Sequence, residues 1–169
     1  SLFLAGLDTV MNAMTYGTRH LAMNPDLQAQ LRADPSQIVQ MAEEMLRLYS
    51  FANPIRVAGR DFEFAGTLLK QGDRVHLGLP SADRDPEHFA GALTFDLNRD
   101  LKRHVGFGDG VHRCVGMHLA RLEAQTAMGR LLDRLPGLRL EPGSRAAPRG
   151  LVFRKPSALN VVWNLPGET

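Results

Sequence analysis

The feature that most constrains this chain is a glycine-rich segment, residues 107–116, followed by a long stretch with helical patterning. The segment reads Phe-Gly-Asp-Gly-Val-His-Arg-Cys-Val-Gly and contains the single cysteine of the chain, Cys114. Glycines allow a tight turn and a close approach of the backbone to a flat group. A helix N-terminus and the neighbouring His112 and Arg113 favour a thiolate over a thiol. The segment therefore predicts a loop that presents a metal ligand or a nucleophile, rather than a buried cysteine acting as a small apolar side chain.

Composition restricts the class of protein. The chain has 169 residues, enough for one domain with a hydrophobic core, and 20 basic against 18 acidic side chains leave a net charge of +2. This near-neutral balance argues against a nucleic-acid partner. One cysteine cannot form an intramolecular disulfide or a cysteine-rich zinc site, which fits a reducing, cytoplasmic compartment. No run approaches the roughly 18 apolar residues of a membrane span, so we expect no membrane partner.

Apolar periodicity and capping residues predict four helices. The first is apolar around most of its circumference up to Met14, which indicates a buried helix that another segment must cover. Two later starts place an N-cap residue before a proline, and Gln37 completes a capping box with Asp34. The predicted helices are residues 1–23, a helix after Asn24-Pro25, a helix from Asp34-Pro35 to about Ser50, and residues 115–135.

Shorter segments punctuated by glycine predict small β-sheets. The predicted strands are residues 56–64, 67–79, 138–140, 151–153 and 160–163. Residues 80–113 show no sustained period, and loops of that length in compact domains are usually functional. The fold class is therefore mainly α with small β-sheets, and we expect residues 1–169 to form a single unit.

Four sequence motifs resemble those of the cytochrome P-450 family and occur along the chain in the order typical of that family. The pattern Phe-x-x-Gly-x-x-x-Cys-x-Gly of the family's haem-thiolate loop is met at all four fixed positions, from Phe107 to Gly116. The other three are Ala5 to Thr9, similar to the oxygen-activation motif, Glu44 to Arg47, similar to the Glu-x-x-Arg helix, and Phe95 to Arg99, similar to the stretch with a second arginine. The details resemble soluble bacterial camphor-hydroxylase-like members. The resemblance implies the C-terminal haem-binding portion of that fold: oxygen-activating helix, Glu-x-x-Arg helix, Cys-ligand loop and following long helix. The N-terminal part of the larger catalytic domain is expected to be absent.

The resemblance implies haem b (iron protoporphyrin IX) as cofactor, with Cys114 as the metal ligand whose electron donation favours cleavage of the oxygen–oxygen bond. Phe107 would pack near the sulfur, and Gly108 and Gly116 would belong to the haem-binding loop. The matched partners of the two haem propionates are Arg56, His104 and His112. Taken singly, each of these three reads equally as an ordinary charge on a loop or strand end.

Asp8 and Thr9 interrupt the apolar run of the first helix. From the residues alone, such a pair is a surface interruption or bonds back to the preceding turn. The resemblance makes both residues catalytic: the helix widens at Gly6, Thr9 hydrogen-bonds the activated oxygen, and Asp8 supplies protons.

Glu44 and Arg47 are three residues apart on one helix, and periodicity alone makes them an ordinary surface pair. At about 100° per residue the apolar stripe leaves Arg47 on the opposite side and Glu44 on its flank. The resemblance instead buries both and joins them to Arg99 in a structural network.

The remaining expectations concern substrate and electron donor. Four apolar residues occupy positions that match the family's substrate pocket: Leu4, Ala5, Ala52 and Val152. These residues are equally consistent with an ordinary hydrophobic core. If they form a pocket, they imply a small apolar substrate such as a terpenoid or norisoprenoid. Across residues 99–123 five lysine and arginine side chains outnumber three acidic ones. Arg113 adjoins Cys114 and is the candidate contact for an iron–sulfur ferredoxin, which an NAD(P)H-dependent reductase would reduce.

Three functions remain open from the sequence. The first is a haem-thiolate monooxygenase that uses O2. The second is a truncated haem-binding or structural remnant without turnover. The third is a hydrolase with Cys114 as nucleophile and His104 or His112 as base, for which no orienting Asn or Asp stands at a diagnostic position.

Overall fold

The fold is described from a computed structural model that covers residues 2–100, 104–144 and 147–165, without the side chains of Leu2 and Leu4. Helices dominate it. The α-helices are α1 (Leu2–Met23), α2 (Pro25–Ala33), α3 (Ile38–Leu48), α4 (Leu79–Ala82) and α5 (Met117–Arg134), with 3-10 turns at Pro35–Gln37 and Gly110–His112. The strands are β1 (Ile55–Val57), β2 (Phe62–Phe64), β3 (Thr67–Leu69), β4 (Arg74–His76), β5 (Arg139–Leu140), β6 (Pro148–Arg149), β7 (Lys155–Pro156) and β8 (Val161–Val162).

The hydrophobic core lies where α1, α3 and α5 meet. Met41 and Met45 of α3 and Met128 of α5 are almost completely buried, together with Leu21 of α1. Gly17 permits this approach, since a Cβ there would lie 2.4 Å from the Met45 sulfur. The three long helices thus form the frame that holds the connecting segments.

The N-terminal half of α1 is more exposed than its apolar sequence predicts. Phe3 is 82% exposed, and Leu7 and Met11 are about half exposed, whereas Tyr16 and Leu21 in the second half are buried. The prediction of a buried helix is therefore correct only for the part that packs against the other helices. None of the described helices has the length and hydropathy needed to span a membrane.

The two predicted capping sites behave differently. Asp34 accepts a hydrogen bond from the Ser36 backbone N–H at 3.1 Å, so its side chain caps the following turn. The reciprocal bond of a capping box is not formed, because the Gln37 amide donates to the Asp34 carboxylate at 2.9 Å and the Asp34 backbone N–H donates to the Gln30 carbonyl. Asn24 precedes α2, but its amide donates to the His20 carbonyl at 2.6 Å and does not cap that helix. The prediction of an Asn24 side-chain cap is wrong, because the side chain turns back to α1 and its oxygen accepts no backbone N–H of α2.

Within the described residues, the β-structure consists of four two-stranded antiparallel sheets, and its strands are shorter than predicted. β1 pairs with β4, and β2 pairs with β3 across a turn in which Gly66 has a positive φ of 77°. Gly66 and Gln71-Gly72-Asp73, which the sequence also predicts as turns, separate β2 from β3 and β3 from β4, and the predicted strand 56–64 is itself divided between β1 and β2. The predicted strand 151–153 forms only one bridge, between Phe153 and Ala52, and the ladder strands of that region are β6 and β7.

Candidate functional site

One cavity of about 440 Å³ gathers eight of the seventeen site residues singled out in the sequence. Its walls come from α1, α3, residues 49–56, the segment around Leu77 and Leu79, and residues 105–114, which we call the cysteine loop. The lining is mainly apolar, with a few polar side chains. Those polar residues are Thr9, Tyr16, Tyr49, Ser50, Arg56, Asp109, His112 and Cys114. A mainly apolar cavity with few polar groups is typical of a small-molecule or cofactor site.

The cysteine loop places its thiol on the wall of this cavity. Gly108 and Gly110 have positive φ angles of 71° and 62°, which permit the turn that precedes the cysteine. The Cys114 backbone N–H donates to the Phe107 carbonyl at 2.9 Å and closes the loop. Gly116 caps the start of α5, where a Cβ would lie 4.0 Å from the Cys114 sulfur. Phe107, Gly108 and Cys114 line the cavity, while Gly116 supports the loop from behind.

The donor set of the cavity fits an iron porphyrin. Among the residues that the structure describes, no three His, Cys, Asp or Glu side chains converge as a metal site. Apolar walls suit the porphyrin ring. Arg56 and His112 line the same cavity and offer a cation and a hydrogen-bond donor for two carboxylates. These residues therefore match the requirements of haem ligated by a thiolate.

Thr9 lies on the cavity wall and also bonds back to its own helix. Its hydroxyl donates to the Ala5 carbonyl, one turn earlier, which is the back-bond considered from the sequence; a bond from this hydroxyl to activated oxygen stays a prediction. The described part of α1 is α-helical without a π-turn, so the widening expected at Gly6 is not observed.

Asp8 lies beside the cavity and is not among its lining residues. It accepts hydrogen bonds from Lys155 at 2.6 Å and from Asn12 at 3.2 Å. The hydrogen bond and charge of Lys155, with the bond from Asn12, hold the pKa of Asp8 below its usual value. About a third of its side chain remains exposed, so its carboxylate reaches solvent.

His104 departs from the expectation that it binds a propionate. Its ring is 3% exposed, its Nε2 lies 3.2 Å from Glu43, and its Nδ1 accepts the Gly106 backbone N–H at 3.3 Å. It does not line the cavity. Because both ring nitrogens are engaged within the protein, the structure leaves Arg56 and His112 to face the cavity without His104.

The sequence analysis did not identify Glu43 and Arg121, which contact the segment that contains His104 and Phe107. Glu43 pairs with Arg121 at 2.5 and 3.2 Å, and the Arg121 guanidinium lies 4.7 Å from the centre of the Phe107 ring. Burial alone would raise the pKa of Glu43, but the hydrogen bonds from His104 and Arg121 bring it below its usual value. The available signal was an acidic residue directly before Glu44, at a position that periodicity does not assign to the core.

Glu44, Arg47 and Arg99 form a buried network, which corrects the periodicity argument. Glu44 and Arg47 are fully buried, and the Arg47 guanidinium donates twice to Glu44, at 2.7 and 2.8 Å. Arg99 donates to the same carboxylate at 3.0 Å. The placement of Arg47 on the exposed side is wrong because carbonyl groups of Asp83, Ala92 and Thr94 close over it and accept its remaining N–H groups. The network lies outside the cavity lining.

The structure places only some of the four predicted pocket residues on the cavity wall. Ala5 and Ala52 line the cavity. Val152 does not; its side chain is 39% exposed, and its carbonyl accepts the Asn53 backbone N–H. The side chain of Leu4 lies outside the described part of the chain.

Arg113 is exposed next to the cysteine, between Val111 and Val115, which are 97% and 89% exposed.

Within the described residues, neither His104 nor His112 hydrogen-bonds the thiol, so the pairing that a cysteine hydrolase needs is not formed.

Comparison with known proteins gives one consistent result. The family model for cytochrome P-450 matches residues 1–136. Probable cytochrome P-450 127A1 of Sinorhizobium fredii is 42% identical over 150 residues, covering 88% of this chain and 36% of its own length. Pentalenic acid synthase of Streptomyces avermitilis is 40% identical, covering 92% and 38%. The solved structure of the P-450 monooxygenase TamI matches with a TM-score of 0.89 and 40% identity over 96% of this chain and 41% of its own. The chain thus spans about two fifths of the length of the relatives that it matches.

Proposed function

This chain belongs to the cytochrome P-450 family, and on that premise we propose that it carries the oxygen-activating and haem-binding part of a monooxygenase that hydroxylates a small apolar substrate. The family's cofactor is haem b. The observation that carries the proposal is that Cys114 and Thr9, from segments more than 100 residues apart, line one apolar cavity with Arg56 and His112.

Each residue has a definite task in this reaction. Cys114 would ligate the iron through its thiolate sulfur, and Arg56 and His112 would bind the two carboxylates of the porphyrin. Bound haem supplies the activation of O2, in which one oxygen atom enters a C–H bond and the other leaves as water, with uptake of two electrons and two protons. Thr9 holds a hydroxyl proton at the cavity wall. Asp8, which contacts solvent, returns protons to that region of α1.

The walls of the cavity favour an apolar substrate. Ala5, Val10, Ala13 and Ala52 are small and uncharged, and they line the space near Thr9. Such walls select by shape and exclude charged groups that would lose their hydration. A terpenoid or norisoprenoid skeleton meets both conditions.

The electron donor in this proposal is an iron–sulfur ferredoxin served by an NAD(P)H-dependent reductase. Arg113 is an exposed cation next to Cys114, flanked by two exposed valines, and it suits an acidic partner with a small apolar contact. A reducing cytoplasmic compartment would keep the lone thiol free for its metal.

Absorption spectroscopy followed by product analysis tests the proposal. The full chain loaded with haem b is reduced with dithionite and exposed to carbon monoxide, and we expect the red-shifted Soret band of a thiolate ligand. A panel of small terpenoids is then incubated with ferredoxin, reductase and isotopically labelled O2, and one labelled oxygen is expected in the product. Absence of the thiolate band contradicts the proposal. A thiolate band without product from any substrate identifies the alternative, a haem-binding remnant.

A further inference from the structure

Four side chains form a cluster behind the cysteine loop, which we call the Glu43 cluster: Glu43 of α3, His104 and Phe107 of the loop segment, and Arg121 of α5. Glu43 is the common centre. One of its oxygens lies 2.5 Å from Arg121 Nε, and the other lies 3.2 Å from both Arg121 Nη2 and His104 Nε2. None of these contacts follows from the roles that the proposed function assigns.

Phe107 is held on two sides by this cluster. The Arg121 guanidinium lies over its ring at 4.7 Å from the centroid, within the range of a cation–π contact. The His104 ring lies 6.1 Å away, inclined at 49°. Because Gly106 donates its N–H to His104 Nδ1, the ring proton stands on Nε2 and is donated to Glu43. The carboxylate therefore orients both groups that contact the aromatic ring.

Phe107 connects the cluster to the cysteine. Its ring lines the cavity beside Cys114, and its carbonyl accepts the Cys114 N–H at 2.9 Å. Arg121 is 24% exposed and Glu43 18% exposed, so their charges are only partly screened by water. Near the thiolate the two charges largely cancel, provided that both are present.

We propose that Glu43 and Arg121 are positioning residues that hold Phe107 against the cysteine loop and balance the charge beside the haem thiolate, so that the pair sets the reduction potential of the iron. The inference rests on the proposed function, since it requires haem ligated by Cys114. It adds an electrostatic role for two residues that do not contact the cavity themselves.

The charge balance gives opposite effects for the two partners. Reduction of the iron adds negative charge, which a nearby cation favours and a nearby anion disfavours. Glu43→Gln leaves Arg121 uncompensated and should raise the reduction potential. Arg121→Gln leaves Glu43 uncompensated and should lower it. The double variant, and Arg121→Lys, which keeps the charge, should stay close to the wild type.

The experiment is a spectroelectrochemical titration of the full chain loaded with haem b, with the carbon monoxide spectrum recorded for each variant. Arg130→Gln is the matched control, because Arg130 is an exposed arginine on α5 about 20 Å from the start of that helix. We expect potential shifts of opposite sign for the two single variants and no shift for the control.

Shifts of equal sign, or shifts no larger than that of Arg130→Gln, overturn the inference, since a purely structural ion pair alters stability without this sign rule. If one single variant fails to bind haem, the other decides together with the double variant: a shift of the expected sign that the double variant removes supports the inference, and no shift beyond that of the control overturns it. A wild type without a thiolate band overturns the proposed function itself. A wild type with that band and insensitive potentials overturns only the charge balance.

Discussion

The sulfur of Cys114 faces the cavity from a loop closed by the hydrogen bond between its own N–H and the Phe107 carbonyl. No second cysteine is available to replace it. We therefore expect Cys114→Ala to abolish thiolate ligation, and Cys114→His to retain haem with the spectrum of a histidine-ligated iron. The reduced carbon monoxide spectrum of each variant measures the ligand. A normal thiolate band in the alanine variant would exclude Cys114 as the ligand.

Thr9 offers a second test at the level of single residues, with a control on the same helix. Thr9→Ala removes the hydroxyl from the cavity wall, so reducing equivalents should be diverted to hydrogen peroxide while haem content stays unchanged. Thr15 also donates to a carbonyl one turn back, at 2.8 Å, but it does not line the cavity. Thr15→Ala should leave the coupling of electron use to product unaltered. Equal coupling in wild type and Thr9→Ala would contradict the role of this hydroxyl.

His20 predicts a pH dependence of stability. Burial, with the nearby charge of Arg19, lowers its pKa from 6.5 to about 4, and its Nδ1 lies 2.7 Å from the Tyr49 hydroxyl. Between pH 6.5 and pH 4 the His20 side chain binds a proton in the unfolded chain but not in the folded chain. The free energy of unfolding therefore falls as the pH decreases towards 4. The contribution of His20 to that fall should be roughly 2 kcal/mol.

Urea unfolding at several pH values measures this effect. His20→Gln cannot titrate, so its free energy of unfolding should depend less on pH than that of the wild type between pH 6.5 and pH 4. Parallel curves for the two proteins would show that His20 titrates alike in both states.

At the scale of elements, the buried network on α3 carries the clearest stability prediction. Arg47→Met leaves the Glu44 carboxylate buried with less compensation and should cost about 3–5 kcal/mol. The matched control is the exposed pair Lys70 and Asp61, whose charged atoms lie 3.6 Å apart. Lys70→Ala should cost less than about 1 kcal/mol, because water screens that pair. Urea unfolding compares the two, and similar costs would mean that the Arg47 network adds no more than a surface contact.

The same network shows where prediction from periodicity ends. Periodicity located α3 correctly because its apolar residues recur every three or four positions. It placed Arg47 in solvent because a helical wheel has no information about a carbonyl 36 or 45 residues away in sequence. The motif resemblance supplied the burial of the pair and its link to Arg99, but not these carbonyl partners. Strand boundaries were less predictable, since three-residue strands contain too few residues to show an alternating pattern.

For the whole molecule, the motifs located the walls of the cavity and missed part of what lies behind them. Thr9 and Cys114 were identified separately, and the fold brings them to one cavity. His104 was assigned to the cavity because it stands three residues before Phe107. The direction of its ring depends on Glu43, 61 residues earlier, and a single sequence without homologues carries no signal for that pairing.

The surface around the cysteine loop gives the last prediction, which concerns electron transfer. Five lysine and arginine side chains face three acidic ones across residues 99–123, but Arg99 binds Glu44 and Arg121 binds Glu43. Their charges are largely compensated within the fold. Arg113 is exposed beside Cys114, where, on the proposed function, a cation would attract an acidic ferredoxin.

Arg113→Glu in the haem-loaded full chain should therefore slow reduction by ferredoxin, and the difference should shrink at high salt because screening weakens steering over roughly 10 Å at 0.1 M ionic strength. Dithionite, which needs no docking surface, should reduce both proteins at the same rate. Arg130→Glu makes the same charge change about 20 Å along α5, and it separates local docking from the effect of net charge. Stopped-flow reduction at low and high ionic strength measures all three proteins. Equal rates for wild type and Arg113→Glu at low salt, or equal slowing by Arg130→Glu, would remove Arg113 from the docking surface.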